Sequence, residues 1–126
     1  MHTIARILIG SAGLLIAAGG TYDILIPKLP RGLAAICGDQ PRALRLAREL
    51  LRALGGALLG VGAAVFSIAA AAGAGFSVAQ SVLVLVLVIP AEGINALAMH
   101  RVGSPWQFPA AFLGIALVGV MLALAR

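Results

Sequence analysis

The hydrophobic positions of the chain fall into four long runs separated by short polar or Gly/Pro-rich stretches. The runs cover residues 4–26, 53–74, 77–99 and 108–125. Each is close to the ~20 residues that an α-helix needs to cross ~30 Å of hydrocarbon. The alternating pattern of a membrane β-barrel is absent, and a backbone in lipid must satisfy its hydrogen bonds in helices or closed barrels. The pattern predicts an all-α membrane protein in which four transmembrane helices form a bundle.

The stretches between the runs carry residues that typically end helices. Pro27 and Pro30 follow the first run, and the chain up to residue 41 is expected to be irregular or only briefly helical. Residues 73–75, Gly-Ala-Gly, predict a tight turn and a close antiparallel hairpin of the second and third spans. Residues 103–105, Gly-Ser-Pro, separate the third span from the fourth.

The composition excludes a soluble monomer. The chain has 126 residues, of which 62% are hydrophobic and 10% charged, and its mean hydropathy is +1.11. Soluble domains are about 45–50% apolar and about 25% charged, so this chain has too little polar surface to cover its apolar residues in water. We therefore expect residues 1–126 to form a single integral membrane domain with no separate catalytic domain.

Residues 42–54 combine basic and apolar positions with a helical period. At about 100° per residue, the basic side chains share about a third of the circumference and leucines cover much of the rest. The basic residues are Arg42, Arg45, Arg48 and Arg52. We predict an amphipathic basic helix that leads into the second span and binds anionic lipid headgroups. A helix over 41–74 would be about 50 Å long, so its first turns either project from the bilayer or bend onto its surface.

Basic residues in short loops predict the orientation of the chain. The loop 27–52 and the loop after the third span together hold seven Lys and Arg residues, whereas Arg6 and Arg126 are the two on the other side. Because positive loops stay in the cytoplasm, we expect a multi-pass protein of the bacterial inner (plasma) membrane with both termini non-cytoplasmic. The alternative is a cleaved signal peptide in residues 1–20, which would put the basic loop outside, against the charge rule.

Ionisable residues inside a membrane are expensive, so Glu92 in the third span is the main candidate for function. It follows Pro90, whose missing N–H predicts a kink, and it shares a helix face with Asn95. We expect its carboxyl to face the bundle interior and to be protonated or paired. The candidate partners belong to the same half of the bundle: Arg52, Asp23, Tyr22 and Asn95. The cluster is either a proton- or ligand-binding site or a polar contact that joins the spans.

Small residues predict where the helices approach one another closely. In the second span Gly56, Gly60 and Ala64 are four residues apart, and the first span offers Gly13 and Ala17 with the same spacing. Stripes of this kind let two helix backbones touch. The interpretation is either packing within the chain or a homodimer.

The sequence carries no recognisable catalytic or metal motif. It lacks a phosphate-binding Gly-x-x-x-x-Gly-Lys loop, a His-Glu-x-x-His pair and a Cys-x-x-Cys pair. Cys37 is the single cysteine, and His2 and His100 are expected on opposite sides of the membrane. We therefore predict no enzymatic activity, no metal site and no nucleic-acid partner.

Residues 52–62, Arg-Ala-Leu-Gly-Gly-Ala-Leu-Leu-Gly-Val-Gly, resemble a pattern of small uncharacterised bacterial four-helix membrane proteins, the DoxX-like group. In that group an Arg opens a helix with Gly-Gly and Gly-x-Gly. The resemblance implies the four-helix fold and carries over no active site.

Two functions remain open at this stage. The first is an accessory or structural subunit, or an assembly component, within a homodimer or a larger membrane complex. The second is a small oligomeric transporter or channel that binds a proton or cation at Glu92 and Asn95.

Overall fold

A computed structural model of the protein describes residues 1–26 and 28–125, and every regular element in them is helical. The elements are α1 (His2–Leu25), α2 (Arg31–Cys37), α3 (Pro41–Ala71), α4 (Val78–Val88), a π-helical turn (Ile89–Gly93), α5 (Ile94–Arg101) and α6 (Gln107–Leu124). The helix α4, the π turn and α5 follow one another without a break as a third long helix, Val78–Arg101. The predictions for Pro27 and Arg126 lie outside the described residues.

Four helices are long and apolar enough to cross a membrane: α1, α3, Val78–Arg101 and α6. They coincide with the four hydrophobic runs, so the prediction of an all-helical chain with four such helices is confirmed. The helix predicted over 42–54 and the second hydrophobic run form one element, so that α3 begins at Pro41. Proline is favoured at the first position of a helix, because the N–H that it lacks has no partner there.

The basic segment and the second hydrophobic run form one continuous helix. The 31 residues of α3 give a rod about 46 Å long at 1.5 Å per residue, longer than the hydrocarbon core by about 16 Å. Of the two alternatives for residues 41–51, a straight extension of the helix is favoured, because the helix is continuous at residue 53. The connection before it is briefly helical, as the sequence allows, in α2.

The closest helix contact joins α1 to α3 through glycines on both. A Cβ atom at Gly62 would lie 2.5 Å from the carbonyl oxygen of Gly13, and one at Gly13 would lie 2.6 Å from the backbone N of Phe66. Further along, a Cβ atom at Gly55 would lie 2.5 Å from the carbonyl oxygen of Gly20. No side chain fits in these gaps, so the two backbones are in direct contact.

This contact lies on a different face of α3 from the one that the spacing of four suggests. A Cβ atom at Gly56 or Gly60 would meet nothing within 4 Å, and Ala64 is only half-buried. The contact residues Gly55 and Gly62 are seven apart, which is two turns of a helix. Packing within the chain therefore does not use the Gly56–Gly60 stripe, whereas Gly13 and Ala17 of α1 do lie at the crossing.

The helix α1 lies between α3 and α6. A Cβ atom at Gly119 of α6 would lie 3.2 Å from the backbone N of Ile9, so this contact is also close. The third long helix packs on α6, and α3 makes few contacts with α4 although a short turn joins them. The expected close hairpin of the second and third spans is thus absent, because α3 turns its glycine face towards α1. The core side chains include Ile9, Ile16, Leu58, Val65, Val84, Val88 and Val120.

The connecting segments contact other parts of the chain at each end of the molecule. At one end the Arg6 guanidinium donates a hydrogen bond of 3.0 Å to the carbonyl oxygen of Gly73. At the other end a Cβ atom at Gly32 of α2 would lie 3.0 Å from the Ser104 hydroxyl and close to the Val102 carbonyl oxygen. The helix α2 therefore rests on the loop 102–106. We call this end, which also carries Cys37, the α2 end.

Candidate functional site

Glu92 lies within the π turn of the third long helix. Pro90 has no N–H to donate to the preceding turn and its ring disfavours a regular α-helix, which accounts locally for the irregularity. The N–H of Ile94 is shared between the carbonyl oxygens of Pro90 and Ala91, so the α-helix resumes directly afterwards. Single π turns are frequent at functional sites. Here the turn carries a glutamate whose residue surface is only 2% exposed.

Glu92 lines a cavity at the α2 end of the molecule. The cavity has a volume of about 880 Å³, within the range of about 300–1,000 Å³ that is typical of small-molecule sites. Its walls come from the C-terminal half of α1, from the third long helix, from the start of α6 and from the segment 28–32. The lining residues include Ile16, Tyr22, Asp23, Lys28, Arg31, Leu58, Glu92, Asn95, Met99, Phe108 and Phe112.

Two carboxyl groups from different helices meet in this cavity. Glu92 and Asn95, three residues apart on the third long helix, line the cavity together with Asp23 of α1. In the described residues the salt bridge that forms is between Arg52 and Glu49, so neither carboxyl is paired with a cationic side chain. Two like charges in an apolar cavity repel each other unless a cation or a proton lies between them. The arrangement can therefore hold a positive charge.

The structure separates Arg52 from the other predicted residues. Its guanidinium lies 2.9 Å from a Glu49 carboxylate oxygen, and its side chain is 47% exposed. Arg52 does not line the cavity, whereas Tyr22, Asp23, Asn95 and Glu92 all do. The physical reason is the position of Glu49 one turn before Arg52 on the same helix, where an ion pair forms without burying either charge.

The other predicted headgroup-binding arginines lie on the N-terminal part of α3, before residue 53. Arg42 and Arg45 are exposed, whereas Arg48 is half-buried and its Nε has no hydrogen-bond partner in the described part of the chain. Each turn of the helix therefore presents a basic group to its surroundings. This geometry is compatible with phosphate groups as partners of the exposed arginines.

Two features of the cavity are missing from the sequence analysis. Lys28 and Arg31 line its mouth, and Phe108 and Phe112 contribute aromatic rings to its wall. The signal for the aromatic wall is the spacing of Phe108 and Phe112, four residues apart on one face of α6. The sequence gives little sign that Lys28 and Arg31 line the cavity, because their position depends on how the connection after α1 folds back.

The cavity does not offer a built metal site. Among residues 1–26 and 28–125, no three His, Cys, Asp or Glu side chains come together as metal ligands. Two carboxyls and one amide supply fewer oxygens than the about six that Mg²⁺ or Ca²⁺ prefers. A proton or a cation with few oxygen ligands suits the site better.

No protein-family model, curated protein or solved structure matches this chain. The resemblance of residues 52–62 to the DoxX-like group stays a prediction.

Proposed function

We propose that the protein is a small transporter or channel of the bacterial inner membrane that binds a proton or cation at Glu92. In this proposal the four long helices cross the bilayer as a bundle, and the α2 end faces the cytoplasm. Asn95 orients the Glu92 carboxyl, and Asp23 adds a second negative charge. The cavity gives the site its access from the cytoplasm.

One observation carries this proposal. Glu92 is nearly inaccessible as a residue, at 2% exposure, yet it lines a cavity of about 880 Å³ together with Asp23, and in the described residues it forms no salt bridge. A carboxyl that only joined helices would be expected to hydrogen-bond directly across them and to leave no space beside it. Buried carboxyls beside a cavity are typical of ion and proton pathways.

Flux through reconstituted protein tests the proposal. We expect proteoliposomes to carry protons or monovalent cations down an imposed gradient, and Glu92→Gln to lower the rate by about tenfold or more, the equivalent of about 1.4 kcal/mol of lost interaction. The variant keeps the size of the side chain and removes its charge. Fluorescent pH and cation indicators inside the vesicles measure the flux.

The matched control is Glu49→Gln, which removes an exposed carboxyl outside the cavity. We expect its flux to equal that of the parent. Absence of flux in the parent, or equal rates for the parent and both variants, would contradict the proposal.

The accessory subunit is the second candidate, and the free glycine face of α3 favours it. Gly56 and Gly60 have nothing within 4 Å of a Cβ position, so a second helix could approach their backbone closely. An accessory subunit predicts no flux and co-purification with a partner or a second copy. Native mass spectrometry after mild extraction measures this.

A further inference from the structure

We propose, building on the function proposed above, that the cavity binds an organic cation with an apolar body, such as a lipophilic ammonium or phosphonium. The proposal depends on three features of the cavity: its size, the place of its negative charges and the nature of its walls. Each feature disfavours a bare inorganic ion.

The size of the cavity exceeds what an inorganic ion needs. A volume of about 880 Å³ is in the upper part of the about 300–1,000 Å³ range of sites for organic ligands. A bare ion there would touch one wall and leave the rest empty or wet. A molecule with several rings or alkyl chains fills the same space.

The two carboxyl groups in the cavity wall can contact the positive group of an organic cation. Glu92 comes from the third long helix and Asp23 from α1, and both line the cavity. Neither is neutralised by a cation of the described chain. A single positive group between them would relieve their repulsion, and the low polarity of the surroundings strengthens that attraction.

The walls suit an apolar body. Ile16 and Leu58 come from α1 and α3, and Phe108 and Phe112 come from α6. Aromatic faces attract cations. Tyr22 adds a third ring.

Lys28 and Arg31 at the mouth do not reverse the preference of the cavity for a cation. Both are exposed, so solvent and salt screen their charges over about 8–10 Å. Their long side chains can also turn outwards towards phosphate groups. Glu92, at 2% exposure, lies in less polar surroundings than either of these basic residues.

Binding of tetraphenylphosphonium tests the proposal, with tetraphenylborate as a probe of the same shape and opposite charge. Both are measured by equilibrium dialysis against purified protein in an uncharged detergent, with empty micelles subtracted. We expect the phosphonium to bind about tenfold or more tightly than the borate. We expect Glu92→Gln and Asp23→Asn each to weaken phosphonium binding by about tenfold or more, and Glu49→Gln to leave it unchanged.

Equal binding of the two probes, tighter binding of the borate, or unchanged phosphonium binding in folded Glu92→Gln would overturn the proposal. If Glu92→Gln does not give a monodisperse protein, Asp23→Asn decides by the same criterion. If flux depends on Glu92 but the protein does not bind the phosphonium, the organic-cation ligand is wrong and the proposed transport function stands. Absence of both would overturn the proposed function as well.

Discussion

Replacing Gly62 by alanine is expected to destabilise the protein by about 3 kcal/mol, towards the upper end of what overpacking costs. The new Cβ atom would lie 2.5 Å from the Gly13 carbonyl oxygen and 2.8 Å from the Ala17 Cα. Both obstacles belong to the backbone of α1, so no side chain can rotate away. The helices must separate along their main contact, and contacts on either side of the crossing weaken with it.

Gly60→Ala is the matched control, because it makes the same change on the same helix at a position with nothing within 4 Å. We expect its stability to stay within about 0.5 kcal/mol of the parent. The stability of both variants is measured by unfolding with heat or with dodecyl sulfate in mixed micelles. If Gly60→Ala were the more damaging of the two, the spacing of four would mark the true contact and the α1–α3 packing described above would be wrong.

Cys37 is expected to react with a membrane-impermeant thiol reagent from the cytoplasmic side only. Under the proposed orientation, seven Lys and Arg residues lie on that side and two on the other, a bias that normally fixes topology. Changing Arg42, Arg45, Arg48 and Arg52 to asparagine leaves three against two. We expect the fourfold variant to insert in both orientations, so that Cys37 is labelled in inverted and in right-side-out vesicles.

The control for this experiment changes Arg6 to asparagine, which increases the cytoplasmic bias and leaves the labelling one-sided. Labelling of the parent from the outer face would contradict the orientation. Labelling of the fourfold variant from the cytoplasmic side only would show that other features fix the topology.

The long helices could be predicted from the sequence because hydrophobic length alone marks them. The run 108–125, for example, matches α6 at Gln107–Leu124 to within one residue at each end. Hydropathy does not mark the start of α3, because it changes at residue 53, but the helical period of residues 42–54 predicts the helix that continues from Pro41. A helix can continue from a polar segment into an apolar one, because the backbone hydrogen bonds that hold it are the same in both.

The glycine contact and the cavity needed the structure. Gly55, Gly56, Gly60 and Gly62 all belong to one helix, and spacing does not show which of them faces a neighbour. The cavity joins Asp23, Asn95 and Phe112, which are far apart in sequence. Glu92 itself was found from the sequence, because an acidic residue in an apolar run is conspicuous. The absence of a Glu92–Arg52 ion pair in the described residues could not be predicted, because Glu49 on the same helix pairs with the Arg52 guanidinium.

The decisive experiment asks whether the cavity beside Glu92 can be reached from the α2 end, and it measures the reactivity of a cysteine at residue 95. In a Cys37→Ser background, Asn95→Cys places a thiol on the cavity wall, and Ile94→Cys places one on the outer face of the same helix, where Ile94 is 66% exposed. We predict that a charged, impermeant thiol reagent modifies Asn95→Cys in inverted vesicles, spares it in right-side-out vesicles, and spares Ile94→Cys in both. Modification of Ile94→Cys with an unreactive Asn95→Cys would show that the cavity beside Glu92 is not reached from the α2 end.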